Sequence, residues 1–265
     1  MCGIAGILDL TNSPVQEDIL EKMSTSLIHR GPDGHGLYLD NNIGFVHRRL
    51  SIIDVTEAGK QPMCDKTEEL VLSYNGEIYN FLEIKKELQS KGYIFRSETD
   101  SEVVLYSWKE WGKKCVERFN GMFAFSIYDK RAKKIFLVRD RYGIKPLYFS
   151  NINNKVLFAS EQKAILNYPE ISKNIDEEAL LEYFTFQNIF TNRTLIKNIK
   201  LLPPASITTV NIENNSIDTE IYWDYHFKEP EGKVDPKEYK EELDRLLRSA
   251  VRRQLVSDVE LGSYL

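Results

Sequence analysis

The strand-like segments of this chain come in bunches, and that grouping constrains the fold more than any single residue does. GLYLD ends at Asp40, and IGFVH begins at Ile43, just past an Asp-Asn-Asn turn. MFAFSIYD and KIFLVRD flank a KRAKK turn, with ELVLSYN ahead of them and VLFAS behind. Partial alternation of polar and apolar residues, β-branched and aromatic content, and short connections are the marks of antiparallel hairpins. Helical patterns interrupt the bunches instead of separating every strand. That order predicts an α+β fold with helices on the outer faces of mostly antiparallel sheets, over a doubly wound parallel sheet.

The first strand is Gly3-Ile4-Ala5-Gly6-Ile7-Leu8-Asp9, a continuous small and apolar run. Ile19, Met23 and Leu27 recur at a spacing of four and predict a helix ending at His29-Arg30. Phe81, Ile84 and Leu88 mark a second helix that stops at Gly92. Asp100 is placed to cap a third, whose Val104, Leu105, Trp108 and Trp111 face inward before Gly112. From about Asn211 the texture turns polar, then rich in turn residues, and reads as a linker. A charged helix starts near Pro236 with Leu243, Leu247, Ala250 and Val251 on one face, and SDVELGSYL resembles the approach to a buried strand. These features predict one domain over 1–215 and, over 216–265, a linker with the first helix and strand of another unit, so the chain reads as part of a longer protein.

With 42% hydrophobic and 28% charged residues the chain can bury a core, and its formal charge of −5 excludes the basic footprint of a nucleic-acid or anionic-membrane partner. KRAKK is a solvated turn. No apolar run approaches the length of a membrane helix, and no signal-peptide pattern opens the chain. Cys2, Cys64 and Cys115 form an odd set without CxxC spacing, so neither a disulfide framework nor a zinc site is expected, and a reducing cytoplasm fits. No dinucleotide or Walker phosphate loop is present.

Cys2 taken alone reads as a small apolar residue opening a strand. Its meaning changes beside three other stretches, HRGPDGHG, RRLSIID and YNGEIYN, which follow MCGIAGI in order. Together they resemble the amidotransferase domain of the glutamine-hydrolysing asparagine synthetases, of the N-terminal-nucleophile (Ntn) hydrolase type. The resemblance continues through RDRYGIKPLYF, FASEQKAIL, LLPPASI and YWDY, and so covers nearly the whole chain. It implies a four-layer αββα sandwich of antiparallel sheets with outer helices.

It also implies a chemistry that explains the thiol's position. Removal of Met1 would leave Cys2 with a free α-amine, and that amine can act as general base for its own sulfur. An amine pKa of about 7.7–8 and a thiol pKa of about 8.5 make the proton transfer cheap near neutrality. By the resemblance, the Asn75 side-chain amide and the Gly76 N–H form an oxyanion hole, Arg49 clamps the glutamine α-carboxylate, and Asp100 and the Glu77 region hold the α-ammonium. Leu50, Ser51, Ile52 and Ile53 form the adjoining wall. Arg30 supports the site together with His29, Gly31 and Asp33, and Asn80 orders a loop carrying Asn75. The plain alternatives are a turn for Asn75-Gly76, a surface ion pair for Arg49 and a helix cap for Asp100. His47 is not needed as a base, and Cys64 and Cys115 are structural.

The substrate so implied is glutamine, and the glutaminase needs no cofactor or metal. ATP and Mg2+ would serve a C-terminal synthetase domain whose SGGxDSS-like loop would begin at Leu265, so this chain would hydrolyse glutamine without making asparagine. Glu260 stands where the family usually has proline. Relatives with the same front end amidate sugar or peptide acids, and a non-catalytic regulatory module is the rival from another class; a homodimer is left open.

Overall fold

The computed structural model describes residues 1–229 and 235–263. The chain opens with β1 (Gly3–Asp9), α1 (Glu17–Thr25), β2 (Gly34–Asp40) and β3 (Ile43–Arg49). β4 (Met63–Cys64), β5 (Leu70–Ile78), α2 (Phe81–Ser90), α3 (Asp100–Trp111) and α4 (Cys115–Arg118) follow. Next come β6 (Gly121–Asp129), β7 (Lys134–Arg139), β8 (Tyr148–Ile152), β9 (Lys155–Ala159), α5 (Gln162–Ile165) and α6 (Glu177–Phe186). β10 (Lys200–Leu201), β11 (Ser206–Asn211), β12 (Ile217–Ile221) and α7 (Pro236–Arg253) complete the order.

The strands form two six-stranded antiparallel sheets, ordered β10-β8-β9-β1-β3-β2 and β12-β11-β7-β6-β5-β4. Ile4, Leu8, Phe45 and Phe158 of the first sheet meet Val71, Ala124, Ile135 and Leu137 of the second in one buried layer. On the outer face of the first sheet, Leu20 and Met23 of α1 and Ala164 and Ile165 of α5 cover Ile7 and Val46. On the outer face of the second, α2 and α3 bring Ile84, Leu88, Val104 and Trp108 against Leu72, Tyr74 and Phe125. The result is the expected αββα sandwich, and α+β is the right class.

Gly6 shows why the first strand is glycine-bearing. A Cβ there would come within 2.3 Å of the Phe158 ring and 2.9 Å of Phe45. Those two rings pack edge to face at 5.3 Å over the glycine, and each aromatic buries a large apolar area between the sheets. Phe158→Ala would cost about 3–5 kcal/mol.

Four expectations need correction. α1 ends at Thr25 and not at His29-Arg30; the Ser26 hydroxyl donates to the Met23 carbonyl at 2.6 Å, and turns carry the chain on to Arg30. The cap of α3 is Thr99, whose hydroxyl accepts from Glu102 N, so Asp100 is the first helical residue and its carboxylate is free for another task. The boundary placed at 215 falls inside the β11–β12 hairpin, because Ile217–Ile221 pairs along β11 from Val210 back to Ser206. Its polar residues read as linker because β12 is an edge strand exposed along most of its length. The strand expected in SDVELGSYL is absent from 257–263, while Tyr264 and Leu265 lie outside the described residues.

α7 begins where expected, its first turn capped by Asp235, which accepts from Lys237 N at 2.8 Å. Leu243, Leu247 and Val251 remain 67%, 62% and 52% exposed, so the apolar stripe has no cover among the described residues. No helix among the described residues is long and apolar enough to cross a membrane.

Candidate active site

Sheet register delivers the thiol to its neighbours. Gly3 faces Arg48 across β1 and β3, so one further step along each strand brings Cys2 to the edge where Arg49 and Leu50 leave the sheet. The Leu50 N–H donates to Cys2 Sγ at 3.4 Å, and the Cys2 carbonyl accepts from Arg30 Nε at 2.9 Å. Arg30 is itself fixed by Glu161 at 3.0 Å, which also meets His29 at 2.8 Å. Burial opposes the Glu161 charge, but hydrogen bonds from Arg30, His29 and Lys163 outweigh it and hold that carboxyl at about 2. Burial pushes the Cys2 thiol up, partly offset by the Leu50 hydrogen bond and the nearby terminal charge.

One pocket gathers Cys2, Arg49, Leu50, Ile52, Ile53, Asn75, Gly76, Glu77 and Asp100. Asn75 and Gly76 lie within β5, not in a turn or a loop. Asn75 is 1% exposed, and its side-chain Nδ2 has no hydrogen-bond partner, a cost in a folded protein that a developing oxyanion would relieve. Gly76 faces Phe123 on β6, where a Cβ would approach the Met122 carbonyl to 2.5 Å and Phe123 Cα to 2.7 Å. Only glycine lets the two strands stay this close.

Asp100 is 7% exposed and accepts from the Tyr74 hydroxyl at 2.6 Å and Ile78 N at 2.9 Å. Burial raises its pKa, and these hydrogen bonds work in the other direction. Glu77 is pushed up to about 7, by burial first and then by the Asp100 charge. Two carboxyls aimed into one pocket suit a cationic group such as an α-ammonium.

Arg49 lines the pocket, and it also organises the wall. Its guanidinium donates to the carbonyls of Thr56 at 2.7 Å, Ile53 at 3.4 Å and Asp54. Asp258, beyond α7, binds the same loop from outside: Asp54 N donates to its Oδ2 at 2.7 Å, and its own N–H donates to the Ile52 carbonyl at 3.0 Å.

Two expected residues take other places. Ser51 does not line this pocket; its N–H donates to Asp33 Oδ2 at 2.9 Å on the neighbouring side of β3. Asn80 follows the strand that carries Asn75, and joins α2 to the start of β6 by donating to the Arg118 carbonyl at 3.0 Å and accepting from Asn120 N at 2.9 Å. His47 is buried between the two sheets with Nε2 3.0 Å from the Tyr74 carbonyl, and burial lowers its pKa to about 4. It is absent from the Cys2 pocket, as are Cys64 and Cys115. The described residues hold no cluster of three or more His, Cys, Asp or Glu suited to a metal.

Sequence reasoning passed over Lys145, Tyr74, Glu161 and Asp258. Lys145 lay inside RDRYGIKPLYF and Glu161 inside FASEQKAIL, both noticed as stretches without a role for either side chain. Tyr74 adjoins Asn75, and nothing in the local sequence marks its hydroxyl as the anchor of Asp100.

A glutamine amidotransferase domain pattern matches residues 1–223. The chain is 38% identical over 271 residues to the glutamine-hydrolyzing asparagine synthetase 1 of Bacillus subtilis (strain 168), covering 100% of this chain and 42% of that protein. It is 36% identical over 285 residues to a putative glutamine-hydrolyzing asparagine synthetase 2 of Methanocaldococcus jannaschii, covering 100% of this chain and 54% of that one. The chain therefore spans about half, or less, of these relatives' length. In fold it is similar to the glutamine phosphoribosylpyrophosphate amidotransferase of B. subtilis complexed with ADP and GMP, with a TM-score of 0.61 at 18% identity over 84% of this chain and 49% of that one. The pattern covers both sheets and every residue gathered around Cys2, so this chain belongs to the family of glutamine amidotransferase domains.

Proposed function

We propose that this chain hydrolyses glutamine to glutamate and ammonia, with Cys2 as nucleophile once Met1 is removed. Supporting the reading above all is the placement of a thiol, an unpartnered buried amide at Asn75 and a carboxyl pair in one pocket. The Cys2 thiol gives its proton to its own α-amine, and the sulfur attacks the glutamine side-chain carbonyl carbon. The oxyanion takes hydrogen bonds from Asn75 Nδ2 and Gly76 N–H. Ammonia leaves with the proton returned from the α-ammonium, and water then cleaves the thioester to glutamate. Arg49 binds the α-carboxylate; Asp100 and Glu77 hold the α-ammonium.

In a longer protein the ammonia would pass to an ATP- and Mg2+-dependent conversion of aspartate to asparagine, a reading supported by the relatives named asparagine synthetases. On this reading the amidotransferase runs through the β11–β12 hairpin, α7 opens the synthetase portion, and the protein works in the cytoplasm. N-terminal mass spectrometry with a glutaminase assay tests the proposal. Processed protein should release ammonia, an electrophilic glutamine analogue should modify Cys2, and Cys2→Ala should be inert yet folded. Labelling confined to Cys64 or Cys115, or turnover by Cys2→Ala, refutes it.

A further inference from the structure

Lys145 is a buried cation that the chemistry above leaves unused. It is 9% exposed, it lines the same pocket as Cys2 and Glu77, and no carboxylate lies within ion-pair distance of it among the described residues. Buried lysines are rare without such a partner. Its backbone is fixed: Asp140, wholly buried, accepts from Phe123, Tyr142, Ile144 and Lys145 N–H groups, and Arg139 Nε donates to the Lys145 carbonyl at 2.9 Å. The turn is thus built to aim this side chain, whose Nζ reaches Met1 Sδ at 3.1 Å.

That sulfur belongs to the residue whose loss frees the nucleophile. With Met1 gone, the ammonium loses this contact and remains in the lining of the pocket it shares with Cys2. Of the other cations near Cys2, Arg30 binds Glu161 and the Cys2 carbonyl while its Nη2 has no partner, and Arg49 donates to the carbonyls of the 53–56 loop and is assigned to the α-carboxylate. The anions lining the pocket with the thiol are Glu77 and Asp100, with the Tyr74 hydroxyl already donated to Asp100, while Asp33, bound to Ser51 N, acts on the terminal amine.

We propose that Lys145 is a positioning residue for the nucleophile: its ammonium lies beside the Cys2 α-amine and sulfur, so that the amine stays an unprotonated base and negative charge on sulfur is favoured. The inference deepens the glutaminase reading and rests on it. Like charge disfavours protonation of a neighbouring amine, and opposite charge stabilises a thiolate. In the unprocessed chain the terminal amine is already held below its usual value, by burial first, with Arg30 and Lys145 both acting in that direction against Cys2 and Asp33. Burial lowers the Lys145 pKa as well, and Arg30 adds to this while Glu77, Asp140 and Cys2 oppose it.

The test compares processed wild-type chain with Lys145→Met, Lys145→Gln and Lys145→Arg. Two pH profiles are read: glutaminase kcat/KM, and the rate of Cys2 alkylation by iodoacetamide, which needs no glutamine. Both neutral variants should move the acid limb of both profiles upward by about one pH unit, roughly a tenfold loss near neutrality that recovers at higher pH. Lys145→Arg should restore the wild-type limb. A uniform loss at every pH, or profiles that superimpose on wild type, overturns the inference. An inactive wild-type chain whose Cys2 alkylation still shifts with Lys145 would remove the glutaminase reading and leave the electrostatic role standing.

Discussion

Leu50 donates its backbone N–H to the sulfur of Cys2 at 3.4 Å, and the two residues are 48 positions apart in the chain. The contact follows from the antiparallel register of β1 and β3, which sets Gly3 against Arg48 and leaves both strands ending at one place. A thiolate formed there meets a fixed donor before any substrate arrives. The thiol's setting is therefore a product of sheet pairing.

Gly76→Ala should damage both stability and turnover. Its new methyl would meet the backbone of Met122 and Phe123 at 2.5–2.7 Å, so β5 and β6 must separate. We expect a loss of about 1–3 kcal/mol, read as a fall in Tm of about 2–4 °C for each kcal/mol. Displacing the adjacent Asn75 should lower kcat about a hundredfold. Wild-type kcat in the variant would mean that Asn75 and Gly76 do not form the oxyanion site.

Glu77 should make the protein's stability depend on pH. Its folded pKa is about 7 against an ordinary 4.5, so the native state binds more protons than the unfolded chain between those values. The stability tied to its neutral form is complete below pH 4.5 and is lost as pH rises through about 7. Thermal melts should therefore show Glu77→Gln gaining on wild type at alkaline pH and matching it in acid. A difference that is the same at both ends would contradict the assignment.

His47 should act in the opposite sense. Its folded pKa of about 4 lies below the ordinary 6.5, so the stability it contributes is present above pH 6.5 and is lost as pH falls through about 4. His47→Gln should flatten that acid-side decline. Because the histidine lies outside the thiol pocket, turnover by folded variant should stay within about tenfold of wild type, a small loss beside the 10²–10⁴ typical of a general base. Complete loss of turnover in a folded variant would point to a Cys–His pair instead.

Asp258 should matter for glutamine affinity through the loop it braces. Asp54 N donates to its carboxylate at 2.7 Å, and the same loop supplies the carbonyls that hold Arg49. Asp258→Ala should raise KM about fivefold, the worth of roughly one hydrogen bond, with kcat little changed. Asp258→Asn keeps an acceptor oxygen and should retain the wild-type KM. Equal values for all three proteins would show that the brace does not shape the pocket.

The sequence by itself determined the hairpins, the three helices flanking them and the order of motifs around Cys2, because turn spacing, apolar periodicity and short glycine-bearing stretches are local properties. The Asn75-Gly76 pair, which by local sequence alone reads as a turn, lies within a strand. What only the tertiary structure decided is how distant segments share polar atoms. Thr99 and not Asp100 caps α3, so Asp100 can take the Tyr74 hydroxyl and face the pocket. Ser51 turns to Asp33, Arg49 serves the wall as well as the cavity, and Lys145 arrives from a turn organised by Asp140. β12 was missed for the same reason: an edge strand with exposed polar side chains carries no pattern of its own, and its pairing partner alone makes it a strand. Local sequence sets which segments form, whereas hydrogen-bond partners far apart in the chain are fixed only when the two sheets close on each other.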